Sequence, residues 1–235
     1  MASWVFPAAS AAISAIFATL VLLRWLRGRK RHNLLWTLGL YGFAGAATAQ
    51  VIADLNGGWP ESVYRAYYFL IGSLVATMGA GTVYLMNRPK FADAFLYTIV
   101  GLIFAQAAVC AITPINAERL AESGTETGVG IASAPMRALT IILNTAGAGA
   151  LLIGAILSWR GTKRPHNLVI AAGTILLSLG GGTAGVATSG SFAAYALYFG
   201  NLAGITLLFA GFLLSRPVGE PVPHKLPGAP AAPQS

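Results

Sequence analysis

The chain has 235 residues, of which 56% are hydrophobic and only 9% are charged, against roughly a quarter in an ordinary soluble domain. This composition excludes a soluble globular protein and predicts a polytopic membrane protein with room for about seven spans of ~20 residues. The net charge of +8 does not indicate nucleic-acid binding, because the basic residues concentrate in a few connections between apolar runs. The single cysteine, Cys110, excludes an intramolecular disulfide.

The predicted spans are the runs without Lys, Arg, Asp or Glu. The first run has no basic segment before it and five basic residues after it, which favours a retained helix over a cleaved signal peptide. The uncharged stretch 165–215 is too long for one helix, and the polar cluster at 188–191 is the expected break. The runs are continuous rather than alternating, so we expect an all-α fold and no β-barrel. The seven predicted spans lie in 1–23, 33–53, 66–87, 94–117, 138–159 and the two parts of 165–215.

The distribution of charge predicts the orientation. The first, third and fifth connections and the tail hold twelve of the 15 Lys and Arg residues and two of the seven acids. The other side keeps three arginines and five acids. By the positive-inside rule, the N-terminus is outside and the C-terminus is in the cytoplasm, with the protein in the cell (inner) membrane.

The second half of the sequence resembles the first. His32 and His166 are 134 positions apart (166 minus 32), as are Gly39 and Gly173. The pairs Tyr68-Phe69 and Tyr198-Phe199 differ by 130 positions, as do Gly81 and Gly211. The pattern predicts a parallel repeat of three helices on each side of a linker helix, related by a twofold axis along the membrane normal. The expected divisions are 1–90 (first repeat), 91–117 (linker helix), 118–136 (extracytoplasmic loop), 137–216 (second repeat) and 217–235 (disordered cytoplasmic tail).

Several kinds of chemistry are excluded by what the spans lack. All four lysines lie in connections or in the tail, and a retinal Schiff base needs a lysine in the last helix. The histidines lie at predicted cytoplasmic loops or in the tail, without metal- or haem-ligand spacing on one helix face. A metal held between His32 and His166 is an alternative to the view that each opens a helix at the membrane interface. We therefore expect no cofactor, no metal and no enzymatic activity.

Polar and aromatic residues concentrate at the outer ends of spans two and three. Tyr64 and Tyr68 are four apart on one helical face, and Arg65 can reach Glu61 one turn back. One interpretation is a polar ligand cavity; the other is an aromatic belt with an ion pair that fixes two helix ends. The full group is Gln50, Asp54, Trp59, Glu61, Tyr64, Arg65, Tyr67 and Tyr68.

Deeper in the spans the few polar residues are amides, which in lipid usually bond to a neighbouring helix. Asn201 follows Tyr198, the repeat partner of Tyr68, by three positions, so these three residues are candidates to line a central site. No span carries a charge at mid-membrane, which argues against a carboxylate proton relay. The candidate ligand-binding residues are Gln50, Asp54, Tyr64, Arg65, Tyr68, Asn144, Tyr198 and Asn201.

The three-plus-one-plus-three arrangement resembles two known groups, the sugar carriers of the SWEET type and the microbial rhodopsins. The resemblance is one of topology over nearly the whole chain. The Pro-Gln pair of the sugar carriers occurs only as Pro233-Gln234 in the tail, and the rhodopsin lysine is missing. No functional residue is carried over from either group.

The sequence favours two functions. The repeat favours a carrier for a small neutral or weakly polar solute bound between the halves, since alternating access commonly uses two related halves. The small loops leave room for a non-catalytic membrane module, either a ligand sensor or an accessory subunit of a larger complex. The expected partners are the lipid bilayer, a small-molecule ligand, and a membrane protein or a second copy of the chain.

Overall fold

The computed structural model describes residues 4–86, 89–122, 131–183 and 192–215, without the side chains of 180–183 and 192–196. Within these residues the protein is entirely helical, as the continuous apolar runs predict. The helices are α1 (Val5–Gly28), α2 (Arg31–Asn56), α3 (Glu61–Leu85), α4 (Pro89–Ile112), α5 (Ala117–Glu122), α6 (Ala134–Thr162), α7 (His166–Thr183) and α8 (Phe192–Leu214).

Six of these helices are long and apolar enough to cross a bilayer. They are α1, α2, α3, α4, α6 and the Leu197–Leu214 part of α8. Helix α7 is also apolar, and its part described with side chains, His166–Leu179, is shorter than the other six. The chain is therefore an integral, multi-pass membrane protein, because a soluble fold would not expose so many long apolar helices.

Two helices end in the same unusual way. Arg29 after α1 and Lys163 after α6 have left-handed backbone conformations, with φ of 48° and 56°. Each N–H donates to a tryptophan carbonyl four residues back, Trp25 at 2.6 Å and Trp159 at 2.7 Å. Each cationic side chain also lies over the ring of that tryptophan, at 4.6 Å and 4.9 Å. The bond satisfies a carbonyl that the helix end would leave without a partner.

The long helices pack as a ring. Following the contacts, the order is α1, α2, α3, α6, α7, α8 and back to α1, while α4 lies outside the ring against α3 and α6. On one side of the ring Phe17 of α1 stacks on Phe209 of α8 at 5.1 Å between ring centroids. On the other side α3 and α6 meet through glycine. The centre is filled by apolar residues of both halves.

The two ends of the ring differ in charge. The basic end comprises the last turns of α1, α3, α6 and α8 and the first turns of α2, α4 and α7, with the described basic residues of the first, third and fifth connections. The acidic end comprises the opposite helix ends, where Arg65 accompanies Asp54 and Glu61.

The helix bounds differ from the predicted spans mainly at α4, which begins at Pro89 rather than at 94 and ends at Ile112. Proline suits the first turn of a helix, and Lys90 and Asp93 lie in that turn or just after it, where polar side chains are readily solvated. The short helix α5 lies in the long connection after α4. The predicted break at 188–191 and the predicted tail fall outside the described residues.

Candidate functional site

Three tyrosines of α3 and the tryptophan in the connection before it meet at the acidic end as a packed group of rings, which we call the aromatic cluster: Trp59, Tyr64, Tyr67 and Tyr68. All four side chains are buried, and Tyr64 has no exposed surface. The ring centroids of Trp59 and Tyr67 are 4.8 Å apart, and those of Tyr64 and Tyr68 are 5.7 Å apart. Gln50 of α2 joins the cluster, because its Nε2 donates to the hydroxyl of Tyr67 at 3.2 Å.

Arg65 ties α3 to the end of α4. Its Nη2 lies 2.8 Å from a carboxylate oxygen of Glu61, and its Nη1 donates to the carbonyl oxygens of Cys110 at 2.6 Å and Thr113 at 3.0 Å. Carbonyls in the last turn of a helix have no intrahelical partner, so a guanidinium there both satisfies them and complements the helix dipole. The interaction of Arg65 with Glu61 was predicted from their spacing; its contact with α4 was not.

The remaining predicted site residues lie on three helices, α2, α6 and α8. Asp54 lies on α2, one turn after Gln50 and half-buried. Asn144 is a half-buried residue of α6, whose Oδ1 is buried and has no hydrogen-bond partner among the described residues. Tyr198 and Asn201 are half-buried on α8, which packs against α7 and α1.

A buried amide joins α4 to α6 below the aromatic cluster. Gln106 is fully buried, and its Nε2 donates to the hydroxyl oxygen of Thr140 at 2.9 Å. Thr140 in turn donates to the carbonyl of Met136, one turn back. Gly72 of α3 faces this pair, and a Cβ there would lie only 3.1 Å from Nε2. The bond is of the kind that holds helices together in lipid.

Helices α3 and α6 touch backbone to backbone near the middle of the bundle. A Cβ on Gly79 would lie 2.6 Å from the carbonyl oxygen of Gly147. A Cβ on Gly147 would lie 2.5 Å from the backbone nitrogen of Ala76. Neither position accepts a side chain without moving a helix, so the two glycines define a close crossing, as small residues do in membrane helix pairs.

On the basic side of this crossing α3 and α6 still touch, since a Cβ on Gly154 would overlap the side chain of Thr82. Beside this contact is a cleft of about 710 Å³. It lies between α2 and α3 on one side and α6 and α7 on the other, with Phe91 of α4 at its edge. Its deepest lining residue on α6, Leu151, lies eleven positions before the end of that helix at Thr162, or about 16 Å at 1.5 Å per residue. On α3 the lining extends only to Thr82, three positions before the end of that helix at Leu85, so the cleft runs deeper along α6 than along α3. Its lining is Trp36, Thr82, Leu85, Met86, Phe91, Leu151, Gly154, Ala155, Leu157, Ser158, Asn167 and Ile170.

Few polar groups face this cleft, and two of them bind each other. The Trp36 indole N–H donates to the Thr82 hydroxyl oxygen at 3.2 Å. Asn167 is 6% exposed, and its Nδ2 donates to the Thr162 hydroxyl oxygen at 3.2 Å. Sequence reasoning missed this site. The available signal was Asn167 itself, a polar residue at the start of an apolar helix, which was interpreted as an interface residue.

An ion pair stands at the basic end near the cleft. Arg31 of α2 lies 3.0 Å from a carboxylate oxygen of Asp93 of α4, and the Tyr84 hydroxyl of α3 donates to the same oxygen. Residues adjacent to Tyr84 line the cleft, namely Leu85 and Met86. The three side chains join α2, α3 and α4 at the mouth of the cleft. Because Arg31 is largely exposed and Asp93 is partly exposed, the pair orients these helix ends more than it stabilises them.

No protein family, curated protein or solved structure matches the chain.

Proposed function

We propose that this protein is a non-enzymatic carrier that moves a small neutral or weakly polar solute across the membrane, with the cleft as the solute site. The observation that carries this proposal is the cleft itself. It lies between the two halves and opens at the basic end. Beyond the α3–α6 crossing, the path toward the acidic end holds the Gln106–Thr140 bond and the aromatic cluster. A cavity open to one side at a time is what alternating access requires.

Matched glycine contacts support a duplicated three-helix unit. A Cβ on Gly39 would lie 2.8 Å from the carbonyl oxygen of Leu74, and one on Gly173 would lie 2.9 Å from that of Gly204. The offsets are 134 positions for the first helix of each contact and 130 for the second, the same offsets that relate the two halves of the sequence. In both contacts a glycine of one helix meets a carbonyl of the next, and both partners keep the offsets of the sequence repeat. Chance similarity of the two basic loops would not explain matching contacts between helices.

A second matched pair repeats this pattern near the basic end. A Cβ on Gly81 would lie 3.0 Å from the carbonyl oxygen of His32, and one on Gly211 would lie 3.1 Å from that of His166. The caps at Arg29 and Lys163 are also 134 positions apart. Under the proposed twofold, the α3–α6 contact corresponds to the α8–α1 contact, and both occur.

The proposed topology has seven spans, with α7 as the sixth, and a cytoplasmic basic end. The positive-inside rule supports this orientation, because the basic residues of three connections gather at one end of the ring. The cleft then faces the cytoplasm, and the aromatic cluster faces outward. The membrane would be the cell (inner) membrane.

The α3–α6 crossing is the proposed pivot. Since Gly79 and Gly147 meet without intervening side chains, the halves can tilt about this point while remaining in contact. Closing the cleft at the basic end would then separate α3 and α6 at the acidic end.

Spin-label distances test this proposal at both ends of the same two helices. In a Cys110→Ala background, one pair is Leu85→Cys with Leu157→Cys at the basic end, and the other is Ser62→Cys with Ala138→Cys at the acidic end; all four positions are exposed. Pulsed electron spin resonance in nanodiscs should give two distances for each pair. Cross-linking the basic pair with a short bifunctional thiol reagent should lengthen the acidic distance.

A pair within one half, Leu38→Cys with Leu85→Cys, is the control and should keep one distance throughout. A single distance at both test pairs, unchanged by the cross-link, would contradict a carrier.

A second candidate function is an accessory subunit, and the surface of α4 favours it. Tyr97 is 74% exposed, Phe104 is 72% exposed and Ile112 is 80% exposed, while Gly101 between them has open space in front of it. This face would suit a partner helix as well as lipid. Native mass spectrometry of the protein extracted in lipid nanodiscs decides between the accessory subunit and the carrier. A stoichiometric membrane partner favours the subunit, and a lone chain favours the carrier.

A further inference from the structure

The lining of the cleft is uncharged. None of its twelve described residues is Lys, Arg, Asp, Glu or His. Most are aliphatic or aromatic, and Trp36 presents an indole whose only N–H is already donated to Thr82. An ion entering this space would lose water without gaining a counter-ion, which strongly disfavours charged solutes. An apolar or weakly polar molecule would lose little hydration free energy on entering the cleft.

One amide oxygen of this lining receives no hydrogen bond from the described residues. The hydroxyl of Thr162 donates its proton to the carbonyl of Ser158 at 2.8 Å, so its oxygen can only accept from Asn167. The amide of Asn167 must therefore turn its Nδ2 toward Thr162, so its Oδ1 points away from Thr162. No described residue donates to Oδ1. Asn167 as a whole is only 6% exposed and lines the cleft, so this oxygen is accessible from the cleft rather than sealed in the core.

We infer that the cleft binds a neutral, mostly apolar small molecule that carries one hydroxyl or N–H group, and that this group donates to Oδ1 of Asn167. The inference rests on the proposed function of the cleft as the solute site and adds its selectivity. The apolar walls take the body of the molecule, and Asn167 is the residue that determines specificity. Solutes without a donor would leave Oδ1 unpaired, and anions would face it with a second acceptor.

The repeat provides a matched control. Asn33 stands at the position of α2 equivalent to Asn167 of α7, 134 residues earlier, but it does not line the cleft. The backbone N–H groups of both asparagines make similar turn bonds, Asn33 to Lys30 at 3.1 Å and Asn167 to Arg164 at 3.3 Å. Gly28 stands at the position equivalent to Thr162, so the bond from Asn167 to Thr162 has no counterpart at Asn33. Substitution of Asn33 therefore controls for the turn, and only Asn167 changes the cleft.

The test uses protection of a cysteine in the cleft. In the full chain with Cys110→Ala and Ser158→Cys, the rate of alkylation by N-ethylmaleimide is measured with four probes: benzyl alcohol, toluene, benzoate and benzylammonium. Benzyl alcohol should slow alkylation more than the other three. Adding Asn167→Leu should weaken its apparent affinity about fivefold, whereas Asn33→Leu should leave it unchanged.

A charged variant separates recognition from a structural role. Asn167→Asp keeps the shape of the side chain and adds a negative charge, so benzylammonium should become protective, while Asn33→Asp should not produce this change. Melting temperatures show which variants are folded. Equal protection by toluene and benzyl alcohol, or equal effects of the Asn167 and Asn33 substitutions, would overturn the inference.

These outcomes are independent of the carrier test. Selective protection together with a single spin-label distance would keep the binding site and refute transport. Two distances without selective protection would keep the carrier and refute this solute class.

Discussion

The indole N–H of Trp36 donates to the hydroxyl oxygen of Thr82 at 3.2 Å, across the contact between α2 and α3. Thr82 donates its own proton to the carbonyl of Met78 at 3.2 Å, so its oxygen is available as an acceptor. This bond fixes the indole in the wall of the cleft. The shape of the proposed solute site therefore depends on a bond between two neighbouring helices of the same half.

Thr82→Val should destabilise the protein, because it leaves the half-buried indole N–H without an acceptor. The expected loss is about 1–2 kcal/mol, measured as the midpoint of thermal unfolding in detergent. Thr48→Val is the matched control. Thr48 makes the same bond to a carbonyl four residues back, at 2.8 Å, but is exposed and bonds to no other helix among the described residues. Equal shifts for the two valine variants would refute a role for the Trp36–Thr82 bond.

Gly147→Ala should separate α3 from α6. Its Cβ would lie 2.5 Å from the backbone nitrogen of Ala76, and backbone atoms cannot move aside as a flexible side chain can. We expect a loss of about 2 kcal/mol or more, as for other overpacked contacts. Gly149→Ala, two positions along the same helix, should be neutral or slightly stabilising, because it has open space and alanine favours helix. Unfolding midpoints of the two variants provide the comparison, and a harmless Gly147→Ala would exclude a tight crossing.

Arg65→Ala should perturb folding more than Arg29→Ala, a difference that the sequence also predicts. Loss of Arg65 removes the donor for the carbonyls of Cys110 and Thr113, and the expected cost is about 2 kcal/mol for charge-assisted bonds of this kind. Arg29 lies over Trp25 at the basic end and joins no second helix in the described residues. Limited proteolysis near α4, with the unfolding midpoint, would detect the release of that helix. Similar small effects of both substitutions would remove the reason to single out Arg65.

The sequence predicts well what depends on neighbours along one helix. The Tyr64–Tyr68 contact and the Arg65–Glu61 ion pair follow from a spacing of four residues, and the helix ends follow largely from the charges that flank them. The sequence does not predict the contact between Arg65 and Cys110, because it depends on how α3 and α4 slide along each other. The cleft was missed for the same reason: its lining comes mainly from α2, α3, α6 and α7, and no pattern within one helix encodes how these four pack together.

The proposed repeat predicts that paired glycines respond in the same way to substitution. Gly39→Ala and Gly173→Ala should each be destabilising, by about 1–3 kcal/mol, since each Cβ would lie within 3.0 Å of a carbonyl oxygen of the following helix in its own half. Gly101→Ala in α4, outside both proposed units, should have little effect because nothing lies within 4 Å of that position. A large effect at Gly39 with none at Gly173 would show that the two halves do not depend on equivalent contacts. Unfolding midpoints of the three variants, measured in the same detergent, give this comparison directly.

Because the two contacts lie in different halves, the stability lost by the double variant Gly39→Ala with Gly173→Ala should equal the sum of the two single losses. A double-variant loss well below that sum would indicate that the two contacts are coupled rather than independent copies.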